Sequence, residues 1–390
     1  MTDDPLPLDG ITVIDLSTLL PGPLASLMLA EAGARVIKVE RPGGEDMRRF
    51  PPKIGPWSAP FAVLNAGKEC ISLDLKQEVD RDRLEALIAR ADIVIEQFRP
   101  GVMARLGLDP QQLMLRYPGL IYCAVTGYGQ AGPRSGEAGH DLNYQALTGL
   151  LSLSPGTPDA PTVPPALTAD IAGGAMPAVI NILLALRRRD RTGRGCRIDI
   201  AMADAMFTFA WLALSQGHAY AANNAADISR DHGFPGSQDT LLTGASPRYQ
   251  LYPTADDRFL AVGALEQKFW ETFCESIDLA PQLRDDRPDP RATLAEVHRI
   301  IRSRDADHWR AVLEPRDCCC TIVRTLAEAR ADPHFIARGL FEATAHMPEG
   351  GGKTGSSIPL TTLPLAPDLR RPTAMPRKVM RPGEADGEPG

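Results

Sequence analysis

The sequence predicts an α/β protein in which a large domain with an open parallel sheet is followed by a smaller α+β domain. Three observations predict this fold class. Short β-branched runs alternate with helical segments through the first half of the chain, and the composition changes near residue 246. The 390 residues also exceed the roughly 250–300 that one hydrophobic core serves. We therefore predict a large domain at 1–222, a linker at 223–245 and a small domain at 246–335.

The chain opens with a βαβ unit. Residues 11–16 and 35–40 are β-branched runs that predict buried strands, and residues 24–32 between them have helical composition. Residues 20–23 predict a turn before that helix. Such a crossover is right-handed and joins parallel strands. The glycines do not form a G-x-G-x-x-G fingerprint, so the unit does not indicate a dinucleotide site.

The alternation continues through the large domain and predicts a doubly wound sheet. Further strands are predicted at 71–74, 93–96, 120–125 and 196–200, and helices at 77–90, 110–117, 175–189 and 201–222. Ligands of such sheets bind at the carboxyl ends of the strands. The loops of this edge follow Leu16, Glu40, Glu96 and Val125.

The small domain has its own strands and helices. Its predicted strands are 249–252 and 259–262, and its predicted helices are 267–277, 294–303 and 308–313. The tail after Pro364 is rich in proline, glycine and charge, which predicts an extended or partly disordered segment.

Charge and composition exclude several functions. The net charge of −7 argues against nucleic acid as the main partner. No run approaches the roughly 18 apolar residues of a membrane span, and the acidic start does not resemble a signal peptide. We expect a cytoplasmic protein without a membrane partner. The seven cysteines include the triplet Cys318 to Cys320, whose spacing suits reduced thiols better than a metal site.

Residues 138–176 concentrate the residues suited to proton transfer. His140 belongs to a side-chain type that exchanges protons near neutrality, and Asp141 and Asn143 stand beside it to orient the ring. The alternative is a structural histidine in a loop. Asp170 precedes a Gly-Gly turn and a long helix, a placement that suits a helix N-cap as well as a base or a nucleophile.

Other charged residues lie near the predicted ligand edge. Arg41, Lys68, Arg99 and Arg105 follow predicted strands or stand in nearby loops. Each alone is most often a solvated surface charge, but together they can clamp phosphates. Glu266 stands at a strand-to-helix corner of the small domain, where acidic residues are common.

The chain resembles the class III CoA-transferase family, of the formyl-CoA transferase type, and within it the α-methylacyl-CoA racemase branch. The resemblance extends from the first strand to about residue 341. Its segments are GITVIDLSTLLPGPLASLMLAEAGARVIKVERPGG, ISLDLK, IVIEQFRPGVMARLGL, IYCAVTGYGQAGP, AGHDLNYQALTGLLS, ADIAGG, RTGRGCRIDIAMADA, FLAVGALEQKFW and ADPHFIARGLF. Two positions depart from the family pattern, Ala66 in the segment that precedes Lys68 and Ala166 four residues before Asp170.

The resemblance implies an assembly and a substrate class. Family members are homodimers of two interlocked chains, each with a Rossmann-like large domain, which here takes in residues 336–390 as well. Their substrates are acyl-CoA thioesters of lipid metabolism. They use no metal and no cofactor beyond the CoA that belongs to the substrate.

The resemblance also assigns roles to residues. His140 and Asp170 match a racemase pair that faces opposite sides of the α-carbon, and Glu266 matches a glutamate that reaches the histidine from the partner subunit. Arg41 and Arg105 match arginines that contact CoA. The enolate oxygen needs hydrogen-bond donors, for which the backbone at Gly173 and Gly174 and the side chains of Asn143 and Tyr144 are the candidates.

Three functions follow in order of preference. The first is an epimerase of 2-methylacyl-CoA thioesters that uses His140 and Asp170 as acid and base. The second is a CoA-transferase that uses Asp170 as its nucleophile, with an aspartyl anhydride and an aspartyl-CoA thioester as intermediates. The third is a CoA-binding protein without turnover.

Overall fold

A computed structural model describes residues 5–222, 233–348 and 355–386. Residues 223–232 of the predicted linker lie outside the described residues. The chain divides into two compact units. Unit 1 comprises Met1–Thr148, Pro164–Thr208 and Ile336–Gly390, and unit 2 comprises Gly149–Val163 and Phe209–Phe335. Residues 149–163 and 209–222, predicted in the large domain, therefore belong to unit 2.

The strands and helices are numbered in chain order. The strands are β1 (Thr12–Asp15), β2 (Arg35–Glu40), β3 (Lys53–Ile54), β4 (Trp57–Ser58), β5 (Glu69–Ser72), β6 (Ile93–Glu96), β7 (Ile121–Thr126), β8 (Gly156–Thr157), β9 (Ala160–Pro161), β10 (Arg197–Ala201), β11 (Tyr249–Pro253), β12 (Phe259–Gly263), β13 (Cys320–Ile322), β14 (Thr344–Met347), β15 (Ser356–Pro359) and β16 (Arg377–Lys378). The helices are α1 (Pro21–Glu31), α2 (Ala59–Asn65), α3 (Glu78–Ile88), α4 (Val102–Arg105), α5 (Pro110–Arg116), α6 (Asp141–Leu147), α7 (Thr168–Asp170), α8 (Met176–Thr192), α9 (Met202–Phe209), α10 (Trp211–Ala222), α11 (Gln267–Ser276), α12 (Pro290–Ile301), α13 (Ala306–Leu313), α14 (Leu326–Arg330) and α15 (Pro333–Ala337).

Unit 1 is built on a parallel sheet of six strands in the order β10-β7-β6-β1-β2-β5. When only these six strands are counted in chain order, their arrangement in the sheet is that of a doubly wound fold. In such a fold the first and the fourth strand are neighbours, and the strand order reverses between them. Here the reversal falls between β1 and β6. The loops after β1 and β6 therefore flank the crevice in which such sheets bind ligands. The predicted parallel sheet is confirmed.

The interior strands of this sheet are apolar because helices cover both faces. Every residue of β6 and β7 is buried. Helix α1 is also buried over residues 21–30, and it begins at Pro21 rather than at Leu24 as predicted. The predicted turn is instead the first helical turn, where proline is tolerated because that backbone N–H has no helical acceptor.

Helices α7 and α8 form one continuous helix, Thr168–Thr192, joined by a π-helical turn at Ile171–Ala175. By length and composition alone this helix can cross a membrane, contrary to the prediction that no segment can. Half of the most apolar part of this helix is buried inside the protein. The core helix of a soluble protein can have the same length and apolar composition.

Of the tail after Pro364, which the sequence predicts to be extended or partly disordered, the structure describes residues through 386, where the regular elements are a 3₁₀ turn at Pro367–Leu369 and β16. Strands β14, β15 and β16 form a small sheet. Arg377 of β16 is buried and makes two hydrogen bonds of 2.8 and 2.7 Å to the Glu31 carboxylate of α1. This ion pair joins the tail to the first helix.

Unit 2 contains an antiparallel sheet of β11, β12 and β13. Its core holds the fully buried side chains of Tyr252, Trp270 and Phe273. Helix α12 begins four residues before the predicted start at 294, and the Asp289 carboxylate caps it by accepting a bond of 3.0 Å from the Ala292 N–H. The α+β pattern predicted for this region agrees with these elements.

Candidate active site

His140 and Asp170 stand at the starts of two neighbouring helices of unit 1. His140 directly precedes α6, and Asp170 ends the first turn of the helix Thr168–Thr192. A hydrogen bond of 2.9 Å from the Asp170 backbone N–H to Oδ1 of Asp141 joins the two helix starts. The structure thus brings together the two residues that the sequence predicts as a pair.

His140 presents its ring to solvent while its backbone is held in place. Its backbone N–H donates to Oδ1 of Asn143 at 3.0 Å, which fixes the residue at the N-cap of α6. The imidazole is exposed, and its charge interacts with the Asp170 carboxyl group. An exposed imidazole beside the candidate carboxyl group is available to a substrate.

The loop before His140 is packed against Tyr144. The Tyr144 hydroxyl donates to the Gly139 carbonyl at 2.6 Å, and its ring meets that of Tyr128 edge-on with centroids 5.2 Å apart. A Cβ atom on Gly139 would approach the Tyr144 ring to 2.7 Å, and one on Gly127 would approach its hydroxyl to 2.5 Å. Both glycines are therefore required by close packing, which holds the backbone next to His140.

Asp170 is not an N-cap, because the helix begins two residues before it, at Thr168. The π-helical turn follows at once and ends just before Pro177. A proline inside a helix removes a backbone donor and crowds the preceding turn, and a widened turn accommodates it. Such turns occur often at functional sites, because they change the direction of the side chains near them.

The predicted Gly-Gly turn is part of this π-helical segment. Gly173 and Gly174 are buried, and a Cβ atom on Gly173 would lie 2.7 Å from the Met206 side chain. On Gly174 it would lie 3.0 Å from Pro21 of α1. These glycines thus allow close packing of helices.

The carboxyl group of Asp170 is poised for proton transfer. Burial raises its pKa, the nearby negative charge of Asp141 raises it further, and the charge of His140 opposes them, so that the pKa is about 6. No hydrogen bond reaches the Asp170 carboxylate from the residues that the structure describes. Asp141 was predicted to orient His140, but its Oδ1 accepts from Asp170 and its Oδ2 from the Gln145 amide at 2.6 Å.

The candidate oxyanion donors differ in availability. The Tyr144 hydroxyl proton is already used by the Gly139 carbonyl. The Asn143 amide oxygen holds the His140 N–H, and within the described residues its NH₂ group donates to no protein acceptor. Asn143 is therefore the better donor of the two.

Lys68 does not stand at the protein surface. Its ammonium group is buried and donates to the Pro23 carbonyl and the Asn65 amide oxygen at 2.8 Å and to the Asp15 carboxylate at 3.3 Å. All three N–H bonds thus have protein acceptors. The prediction that Lys68 clamps a phosphate rested on a surface position that the residue does not have, so we leave it out of the candidate CoA site.

Asp15 is the centre of a buried network of charges. Ser26 donates to its carboxylate at 2.5 Å and Ser17 also donates to it, while the buried Lys38 lies nearby and pairs with Glu45 at 3.4 Å. Burial by itself would raise the pKa of Asp15, but Lys38, Lys68 and the two hydroxyl groups lower it to about 2. Asp15 is ionised and structural, and the sequence gives no sign of its role because Lys38 and Lys68 are distant from it along the chain.

Three arginines remain exposed at the ligand edge of the sheet. Arg41 follows β2 and pairs with Asp46 at 2.5 Å. Arg99 lies in the loop after β6 and Arg105 ends α4, so both stand beside the point where the strand order reverses. Among the described residues, neither Arg99 nor Arg105 has an acidic partner. These two are the best placed to hold phosphates.

Glu266 lies in unit 2 and is exposed at the start of α11. It follows β12 by three residues. Its role beside His140 and Asp170 stays a prediction.

Comparison with known proteins decides the family. The sequence profile of CoA-transferase family III matches residues 8–376. The chain belongs to this family. The resemblance stated above is thereby confirmed.

Both chemistries of the family occur among its relatives. The chain is 35% identical to an α-methylacyl-CoA racemase of Homo sapiens, covering 86% of this chain and 82% of the relative. It is 32% identical to an acetyl-CoA:oxalate CoA-transferase of Acetobacter aceti, covering 86% and 85%. The crystal structure of a CAIB/BAIF family protein from Brucella suis has a TM-score of 0.77 at 28% identity over 98% of both chains.

Proposed function

We propose that this protein is an epimerase of 2-methylacyl-CoA thioesters that moves the α-proton between His140 and Asp170. The observation that carries the proposal is the pairing of an exposed imidazole with a carboxyl group whose pKa is raised to about 6. A base that titrates near the working pH both accepts and returns a proton efficiently. The identity with the human racemase supports this choice.

The reaction proceeds in two proton transfers. A thioester acidifies its α-proton, and one of the two residues removes it to leave an enolate. The other residue donates a proton to the opposite face of the α-carbon and inverts the centre. The next catalytic cycle starts from either protonation state, so the enzyme acts on both epimers. We assign Asn143 as a donor to the enolate oxygen.

Arg99 and Arg105 are the proposed contacts to the phosphates of CoA, with Arg41 as a third. The first two follow the strand at which the order reverses and have no acidic partner among the residues described. Arg41 would exchange its partner Asp46 for a phosphate. An exposed guanidinium makes this exchange at small cost, because surface ion pairs contribute little.

We also propose a homodimer of interlocked chains in which Glu266 of one chain contributes to the site of the other. The helix Thr168–Thr192 supports an interface between copies, because Met176, Ile180, Leu183 and Leu184 form one exposed apolar stripe along it. A second copy of the chain covers such a stripe in this assembly. A cytoplasmic location and the need for no other cofactor stay predictions from the sequence.

A second function has a specific observation in its favour, since a CoA-transferase of the same family is 32% identical. In that case Asp170 attacks the thioester carbonyl, releases CoA and carries the acyl group as an anhydride. The CoA thiolate then attacks the aspartyl carbonyl of this anhydride, which releases the first carboxylic acid and leaves an aspartyl-CoA thioester. A second carboxylate attacks that thioester and displaces the CoA thiolate, which attacks the acyl carbonyl of the new anhydride to give the new acyl-CoA and free Asp170. The raised pKa of about 6 does not distinguish the two functions, because a nucleophile and a general base both need the ionised carboxylate.

One experiment separates the two functions. The purified protein receives a single epimer of a 2-methylacyl-CoA, with and without an added carboxylic acid, and both the epimer ratio and the acyl-CoA products are measured. We expect inversion without any acceptor acid. In the variant His140→Ala inversion is lost, while the control His308→Ala, an exposed histidine of unit 2, retains it. Transfer to the acid without inversion would reject the epimerase and favour the transferase.

A further inference from the structure

Glu96 is a buried carboxyl group that the chemistry proposed above does not use. It ends β6, beside the point where the strand order of the sheet reverses, and only 3% of its surface is exposed. A glutamate is almost never buried to this degree unless another group pairs with it. Across residues 5–222, 233–348 and 355–386, no basic side chain forms an ion pair with Glu96. Its burial therefore requires a partner of another kind.

This partner is the backbone of the turn that follows β6. Oε2 of Glu96 accepts a hydrogen bond of 2.7 Å from the Phe98 N–H, two residues further along the chain. Burial raises the pKa of Glu96 to about 7, although this hydrogen bond lowers it. The ionised and the protonated carboxyl group both keep an oxygen that can accept from an N–H. The contact therefore does not require the negative charge.

The turn begins the segment that carries Arg99. Oε1 of Gln97 accepts a hydrogen bond of 3.1 Å from the Gly22 N–H, which ties the segment to the first turn of α1. The Phe98 side chain packs against the core of the sheet. The Arg99 carbonyl accepts a hydrogen bond of 3.1 Å from the Val102 N–H at the start of α4. The backbone is thus held on both sides of Arg99, while the Arg99 side chain is exposed.

We propose that Glu96 is a positioning residue that prepares Arg99 to bind a phosphate group of CoA. Glu96 holds the Phe98 N–H and, with it, the backbone directly before Arg99. A loop that already has its bound conformation loses less conformational freedom when a ligand binds, so more of the contact energy appears as affinity. Glu96 acts through this backbone and does not touch CoA. The inference rests on the proposed contact between Arg99 and CoA.

Two substitutions at this position separate the hydrogen bond from packing. Glu96→Gln keeps a side-chain oxygen that accepts from the Phe98 N–H, whereas Glu96→Met fills a similar volume without one. Circular dichroism establishes that both full-length variants fold. Hydrogen–deuterium exchange, followed by mass spectrometry of the peptide over residues 96–103, then reports on the segment. We expect the wild-type exchange rate in Glu96→Gln and faster exchange in Glu96→Met, because the Phe98 N–H has lost its acceptor.

Calorimetric titration with free CoA measures the consequence for binding. We expect Glu96→Met to raise the Kd for CoA roughly fivefold, the cost of ordering one long side chain and its loop on binding. Glu96→Gln should keep a Kd close to that of the wild type. With a 2-methylacyl-CoA substrate, the effect of Glu96→Met should appear in KM and not in kcat, because His140 and Asp170 are unchanged. A general loss of structure would lower kcat as well.

The variant Arg99→Ala distinguishes failure of this inference from failure of the proposed CoA site. If Arg99→Ala weakens CoA binding and Glu96→Met does not, Glu96 has no positioning role. The proposal is also overturned if Glu96→Gln loses as much affinity as Glu96→Met, or if the segment exchanges at one rate in all three proteins. If Arg99→Ala binds CoA as tightly as the wild type, the proposed CoA site is rejected, and the role of Glu96 falls with it.

Discussion

Unit 1 contains two aspartates whose pKa values shift in opposite directions, although burial by itself raises both. Asp15 is fully buried, yet two lysines and two hydroxyl groups lower its pKa to about 2. Asp170 is less buried, yet the neighbouring Asp141 adds to the effect of burial and its pKa is about 6. Burial raises the pKa where nearby cations and donors do not outweigh it, as at Asp170, and the two lysines and two hydroxyl groups outweigh it at Asp15.

The largest expected effect is on stability, at Asp15. The variant Asp15→Asn removes the negative charge that neutralises Lys38 and Lys68 inside the core. Loss of one partner from a buried ion pair costs about 3–5 kcal/mol in the free energy of unfolding. Urea denaturation followed by circular dichroism measures this loss. An unchanged midpoint would show that water already reaches these lysines.

The second prediction concerns the exposed arginines. We expect Arg99→Ala and Arg105→Ala each to raise KM for the acyl-CoA about tenfold with little change in kcat, since a lost charge-assisted contact costs about 1.5 kcal/mol. Steady-state kinetics at several salt concentrations provide the measurement. The control Arg299→Ala removes an exposed arginine of unit 2 that pairs with Glu296. Equal effects in all three variants would reject a CoA site at this edge.

The third prediction tests why the pKa of Asp170 differs from that of Asp15. In Asp141→Asn the neighbouring negative charge is absent, so the pKa of Asp170 falls from about 6 toward the ordinary aspartate range. The acidic limb of the kcat/KM profile should then move to lower pH. The amide oxygen can still accept from the Asp170 N–H, while the amide NH₂ replaces the oxygen that accepts from Gln145, whose side-chain amide must rotate to present its own oxygen. A limb that stays in place would assign it to another group.

The smallest expected effect is the dependence of stability on pH at Asp170. Because folding raises the pKa of Asp170, the folded state binds the proton of this carboxyl group more tightly than the unfolded state does. The contribution of Asp170 to the free energy of unfolding therefore falls as pH rises from about 4 to about 6. The variant Asp170→Asn should therefore be more stable than the wild type above pH 6 and equal to it near pH 4. Thermal unfolding across this range is the measurement. Destabilisation at pH 7 would mean that the carboxylate makes a favourable contact.

Much of the fold was predictable because its signals are local. The runs at β6 and β7 are continuous and β-branched, as buried parallel strands require, and the structure confirms them. The start of α1 was missed because Pro21 and Pro23 were interpreted as a turn, although proline suits a first helical turn. The π-helical turn after Asp170 has no reliable local signal.

The sequence predicted the pair His140 and Asp170 of the candidate site but not the contacts and charges around this pair. His140 and Asp170 were found from residue type and family motif. Lys68 was misplaced because its partner Asp15 lies 53 positions earlier in the sequence, and only the folded chain brings them together. Asp141 was noticed beside His140, but its effect on Asp170 depends on the contact between two helix starts.

The central claim, that two bases act on opposite faces of one carbon, is tested most directly by hydrogen exchange. Each epimer of a 2-methylacyl-CoA is incubated in D₂O with the wild type, His140→Ala and Asp170→Asn, and deuterium at the α-carbon is measured by mass spectrometry. The wild type should exchange both epimers. Each variant should exchange only the epimer whose α-proton faces its remaining base, without inversion. Exchange of both epimers by His140→Ala would contradict the claim.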